Sequence, residues 1–159
     1  MATGKKRKVQ IFSPCKALEF DAQALESLFH FLDEAAPHSI TEGDLSLVLL
    51  SQERHSQLHA DYLNDPSPTD VITFPGDLDE KLAGEICVSI DTAYSYANNH
   101  QLNFSSELIL YFIHGWLHLA GFEDHSEEGR QAMKKEEQVI MHLLETNHQV
   151  PLFKYQPNE

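Results

Sequence analysis

The chain has 159 residues, room for one domain with a sizeable core and not for two. With 42% hydrophobic and 23% charged residues it has the composition of a globular protein, and no apolar run approaches the ~20 residues that span a bilayer. Its 11 basic and 25 acidic residues leave a formal charge of −14, which repels phosphate backbones and excludes recruitment of nucleic acid by overall charge.

The basic run Lys5-Lys6-Arg7-Lys8 has no long apolar segment behind it, so residues 1–8 are expected to form a solvated, flexible tail and not a signal peptide. Val9 to Phe12 reads as a first strand. Asp21 caps a helix over 22–35, with Leu25, Leu28, Phe29 and Leu32 as its apolar stripe and Pro37 beyond its end. Leu45 to Leu50 is apolar enough for a central strand, and residues 51–64 read as a helix. The stretch Asp65-Pro66-Ser67-Pro68 is barred from regular structure by its prolines. Thr69 to Phe74 reads as a β-branched strand, Pro75-Gly76-Asp77 as the start of a polar connection, and Gly84 to Ile90 as a further strand. Helices follow at 91–99, at 107–120 with Ser105 or Ser106 as cap and Gly121 as terminator, and at 127–145. The expectation is a single α+β domain over 9–150, a mixed, roughly four-stranded sheet packed with helices, with 151–159 as a C-terminal tail. Cys15 and Cys87 form no CxxC pair, and two distant cysteines fit a reducing, cytoplasmic setting.

The chemistry concentrates in His114-Gly115-Trp116-Leu117-His118-Leu119-Ala120-Gly121-Phe122-Glu123-Asp124-His125. Two histidines four apart on a helix share a face, so two ring nitrogens reach one ion at about 2.0–2.1 Å. The helix is otherwise strongly apolar, and buried imidazoles need partners. A catalytic zinc takes about three protein ligands plus water, so a third donor is required. Positive φ at Gly121 turns the chain back and offers His125, with Asp124 as the alternative. The site is thus expected on a helix and its following loop, holding one Zn²⁺. Gly115 occupies the place of the general-base glutamate of HExxH peptidases, which argues against peptidase chemistry. Auxiliary catalytic groups are sought at Glu123, Asp124 and Glu85; Asp70 serves either to brace its strand or to act on substrate. Trp116 points away from the ligand face, into the core.

This segment resembles the HGxLHLxGxDH signature of the YbeY endoribonuclease family. Pro68-Thr69-Asp70-Val71-Ile72-Thr73-Phe74 resembles that family's PTDVLSF block, and Leu82-Ala83-Gly84-Glu85-Ile86 its LGDI strand start; the similarity covers roughly residues 40 to 145. The resemblance implies a zinc-dependent, single-strand-directed endoribonuclease acting in rRNA maturation and ribosome quality control, with single-stranded RNA, chiefly rRNA, and ribosomal or ribosome-associated proteins as partners and no membrane. Two departures stand out. Phe122-Glu123-Asp124-His125 is one residue longer than the family pattern, so matching the Asp-His pair selects His125 while ungapped counting selects Asp124. The arginine that many members carry after the tyrosine preceding the PTDVLSF block is Leu63 here, with Arg54 as a possible substitute. Two other functions compete: a different zinc hydrolase such as a peptidase, and a non-catalytic ribosome-associated module in which Asp124 and His125 together close a four-ligand structural zinc.

Overall fold

The computed structural model describes residues 6–63 (Leu63 by its backbone alone) and 70–157. The proline stretch 65–68 lies outside them. Strands β1 (Val9–Phe12), β3 (Asp44–Leu50), β4 (Val71–Asp77) and β5 (Leu82–Ser89) form a mixed sheet in the order β1-β3-β5-β4. β1–β3 and β3–β5 are parallel; β4 and β5 form an antiparallel hairpin at the edge. The remaining strands, β2 (Leu18–Phe20) and β6 (Phe153–Tyr155), make a separate two-stranded ribbon. The helices are α1 (Ala22–Ala35), α2 (Gln52–Leu63), α3 (Ile90–Asn99), α4 (Phe104–Leu119) and α5 (Glu127–Thr146). The α+β domain with its mixed four-stranded sheet is therefore as the sequence indicated.

Alternation along β3 and β5 sorts the two faces of the sheet. Leu45, Leu47, Leu49, Ile86 and Val88 join the main core beneath α1 and α4, while Val48, Leu50, Ile72 and Cys87 form a smaller cluster with Leu58 of α2 on the other face. In α1 the expected stripe of Leu25, Leu28, Phe29 and Leu32 is buried, and Asp21 caps the helix through its carboxylate to the Gln23 and Ala24 N–H groups. Phe29 meets Phe112 of α4 edge to face, their centroids 6.1 Å apart. α4 is buried nearly all round, Trp116 included.

Where α4 crosses the hairpin it has no room for a side chain. A Cβ on Gly115 would stand 2.6 Å from Ile86 Cγ2 and 2.9 Å from Thr73 Oγ1. One turn on, a Cβ on Gly84 would meet Leu119 at 2.6 Å, and Gly84 has φ +158°.

Four local expectations need correction. Pro75-Gly76-Asp77 continues β4 and does not leave the sheet: β4 is an edge strand, which tolerates proline, and a Cβ at Gly76 would overlap the Leu82 carbonyl at 2.1 Å. The cap of α4 is Asn103, whose Oδ1 accepts from the Ser106 N–H at 2.9 Å. Ser105 instead binds the backbone of Phe153, accepting from its N–H at 2.7 Å. Residues 151–159, read as a tail, carry β6, and Phe153 is buried against Phe20 of β2. Three-residue strands lie below the length at which alternation is visible, so both ribbon strands escaped a reading by pattern. Within the basic segment, Arg7 is tied down by Asp33 at 2.8 Å and by the Thr41 and Gly43 carbonyls.

Two predictions follow from this packing. Gly115→Ala should destabilise the fold by about 1–3 kcal/mol despite the ~1 kcal/mol that alanine gains in a helix, as measured by denaturant titration; equal or greater stability would mean α4 stands off the sheet. On the opposite face, His55 is buried, and its Nε2–H donates to the Cys87 carbonyl at 2.9 Å. Burial pushes its pKa below the ordinary value, more than the hydrogen bond to Cys87 and the charge of Asp70 raise it. The unfolded chain therefore takes up this proton first. Its contribution to stability is intact above about pH 6.5 and declines as pH falls from there through the lower folded-state pKa. Denaturation midpoints at pH 7.5 and 5.5 should differ more for the native chain than for His55→Gln.

Candidate metal centre

α4 ends at a Schellman turn that places the loop over its own last turn. Gly121 takes φ +109°, its N–H donates to the His118 carbonyl at 3.0 Å, and the Phe122 N–H donates to the Leu117 carbonyl at 3.0 Å. A Cβ at Gly121 would meet nothing, so the glycine is there for its backbone angle. The turn brings the Phe122 carbonyl to His118 Nδ1 at 3.1 Å and folds Asp124 back to the histidines.

His114 and His118 then converge as a helical pair should. Their Nε2 atoms are 3.1 Å apart, and Asp124 Oδ2 is 3.5 Å from each. Three donors 2.0–2.1 Å from a tetrahedral ion would be separated by about 3.3–3.4 Å, close to this spacing. The other ring nitrogens are engaged: His114 Nδ1–H donates to Glu137 Oε2 of α5 at 2.5 Å, and His118 Nδ1–H to Phe122 O. In these tautomers both Nε2 atoms present lone pairs to one another and to a carboxylate. With both rings neutral, three acceptors face inward, a donor set that could hold a cation. Among the described residues, His114, His118 and Asp124 are the group of His, Cys, Asp and Glu side chains able to hold a metal ion.

The local charge reinforces this. Burial alone would lower the pKa of His114, but the hydrogen bond and charge of Glu137, with the charges of Asp70 and Asp124, outweigh it and raise the pKa above the ordinary value. The cluster lies between two clefts. One, of about 770 Å³, runs between α3, α4 and α5 and includes His114, Asp124 and Asp70. The other, of about 550 Å³, includes His114, His118 and Asp124 together with His59, Tyr62 and His125. A cation held by this triad would be within reach of groups entering from either cleft.

The remaining sequence candidates fall elsewhere. His125 is exposed beside the cluster; its imidazole lines the second cleft but is outside the donor group. The turn after Gly121 absorbs the extra residue without a gap, so Asp124 is the residue that arrives. Glu123 is turned away: Oε1 accepts the His125 N–H at 2.6 Å, Oε2 accepts from Ser126 Oγ at 3.4 Å, and the carboxylate packs on Gly129. It braces the loop against the first turn of α5. Glu85 is on the opposite face of the sheet, among Gln10, Phe12 and Ser46, and takes no part in the cluster. Asp70 braces its strand, Oδ1 accepting the Val71 N–H at 2.8 Å, and the residue also lines both clefts. Glu137 was not singled out from sequence. It is one glutamate among several on an amphipathic helix, and only the packing of α5 on α4 distinguishes it. Its place one turn from the buried Met133 was the available signal.

Comparisons with known proteins agree with this geometry. The family described as endoribonuclease YbeY matches residues 10–145. The chain is 47% identical over 107 residues to the endoribonuclease YbeY of Protochlamydia amoebophila, covering 65% of this chain and 70% of that one. To the protein of the same name from Aliarcobacter butzleri it is 33% identical over 109 residues, covering 67% and 78%. Among solved structures it resembles the solution structure of TM1509 from Thermotoga maritima, with a TM-score of 0.59 and 28% identity over 95% of this chain and 99% of that one.

In metal-free protein, the His114 ring should titrate above the ordinary imidazole value in an NMR pH series, and Glu137→Gln should lower it. A titration that Glu137→Gln leaves unmoved would contradict the hydrogen bond between them.

Proposed function

The chain belongs to the YbeY endoribonuclease family, and from that premise we propose that it is a zinc-dependent endoribonuclease of the cytoplasm that cuts single-stranded RNA, rRNA above all, in rRNA maturation and ribosome quality control, alongside ribosomal proteins. The observation that carries the zinc reading is the inward-facing triad of His114 Nε2, His118 Nε2 and Asp124 Oδ2 between two open clefts. Lewis acidity toward a phosphoryl oxygen, and a water acidified toward a pKa of ~7, are what a zinc ion supplies when bound there. Glu137 and the Phe122 carbonyl hold the two imidazoles in the tautomers that ligation needs. Asp124 adds the third ligand and a negative charge, while Asp70 at the shared rim of the clefts is placed to accept a proton from an entering water. Arg130 and Lys134 line the larger cleft and supply the local cations that an acidic chain needs to hold a phosphate.

The competing readings are less well supported. A structural zinc would fill its fourth position with protein, and His125 is outside the donor group. A peptidase glutamate at position 115 would collide with Ile86 and Thr73.

The test is direct. The purified chain should carry about one zinc per chain, and cleave unstructured RNA but not casein, with chelator abolishing cleavage. Asp124→Ala should lose zinc affinity by at least about tenfold more than His125→Ala, in the range expected when a ligand and not its neighbour is removed. Chelator-sensitive casein cleavage without RNA cleavage would reverse the assignment of activity. Loss of zinc in His125→Ala alone would restore the histidine as third ligand.

A further inference from the structure

Beyond the metal cluster, the larger cleft continues along α4 to a second polar group. Glu107 is 8% exposed and opens on this cleft, seven residues before His114 on the same helix face. Two turns of helix separate them, about 10 Å by the rise per residue. Tyr111, one turn from Glu107, hydrogen-bonds to its carboxylate. Opposite are two large side chains that the fold leaves out of its core, Tyr96 of α3 at 45% exposure and Leu102 at 50%. The Tyr96 ring is held flat by stacking on His100, with centroids 4.0 Å apart and planes 20° apart.

We propose that this end of the cleft is a nucleobase subsite: the base next to the scissile phosphate lies against Tyr96 and Leu102, and the Glu107 carboxylate reads its Watson–Crick edge, favouring bases with an amino group over uracil. The inference rests on the endoribonuclease reading of the neighbouring cluster. A carboxylate this deep needs donors, and Tyr111 provides one for a group with about four acceptor sites. The exocyclic amino groups of cytosine, adenine and guanine, at the end of the edge, supply another; uracil has a single N3–H there, flanked on both sides by carbonyl oxygens that a carboxylate repels. The alternatives fit less well. A phosphate would be repelled by Glu107 and Asp70, and its natural partners, Arg130 and Lys134, are on α5 across the cleft. A second metal ion would need further donors, and Glu107 is in no metal-binding group among the described residues. Flat, exposed aromatic surface is what a base stacks on, and the span from His114 to Glu107 is one that a nucleotide covers from its phosphate to the far edge of its base.

Calorimetric titration of the zinc-loaded full chain with 5′-CMP, GMP, AMP and UMP tests this, alongside cleavage of single-stranded oligomers differing at one base. UMP should bind about tenfold more weakly than CMP, and Glu107→Gln, whose amide can also donate, should narrow that gap to about threefold or less. Equal affinity for all four nucleotides in the native chain would overturn the proposal, as would a folded Glu107→Gln chain with an unchanged ranking. Should Glu107→Gln fail to fold, Tyr96→Ala at its exposed position replaces it: all four nucleotides should weaken by about tenfold, and unchanged affinity would overturn the subsite. Discrimination among nucleotides without RNA cleavage would uphold the subsite and sink the nuclease reading; cleavage without discrimination would do the reverse.

Discussion

The contact between α4 and the β4–β5 hairpin sets the position of everything that matters in this molecule. Gly115 lets the helix settle onto Ile86 and Thr73, and Gly84 lets the sheet receive Leu119 one turn further on. At both glycines a side chain of the other element fills the space that a Cβ would take. The surrounding leucines, isoleucines and Trp116 then fill the remaining space without exposure. A helix fixed on that side has one strip left free, and His114 and His118 are on it. The same glycine that makes the packing possible occupies the position at which HExxH peptidases carry their general-base glutamate.

The second constraint comes from α5. Glu136 binds His38 at 2.8 Å and Glu137, its neighbour, binds His114. His38 in turn meets the ring of Phe122 edge to face, and the Phe122 carbonyl holds His118. Two adjacent glutamates thus steady both imidazoles, one directly and one through the loop. The arrangement also concentrates negative charge around the cluster, which explains how an acidic chain benefits from its composition. A field that discourages bulk RNA suits a cation, and Arg130 and Lys134, the basic residues lining the larger cleft, are both on α5.

Much of this was legible in the sequence, and the limits have physical causes. The histidine pair could be read because helical periodicity is rigid: residues four apart must share a face. The core stripe of α1 and the alternation of β3 were legible for the same reason. The sequence favours His125 over Asp124, whereas Asp124 is the side chain folded back to the histidines, because beyond a helix terminus the path depends on hydrogen bonds such as Phe122 N–H to Leu117 O, which no spacing rule encodes. Glu137 was hidden among equivalent glutamates, and Glu85 was misplaced because the motif that contains it does not say which face of β5 is inward. Ser105 or Ser106 reads as the cap of α4 because serine is as good a cap as Asn103; the Ser105 hydroxyl is instead taken by the Phe153 backbone, and Ser106 donates its N–H to Asn103.

The division of α4 into one polar strip and an apolar remainder has an evolutionary consequence. Glu107, Tyr111, His114 and His118 face the clefts, while the other sides of the helix carry the core. His114 and His118, each about a quarter exposed, can change at a smaller cost in stability than the buried residues on the other sides of the helix. Positions 114 and 118, one turn apart on that strip, can therefore vary while the core that carries them stays folded.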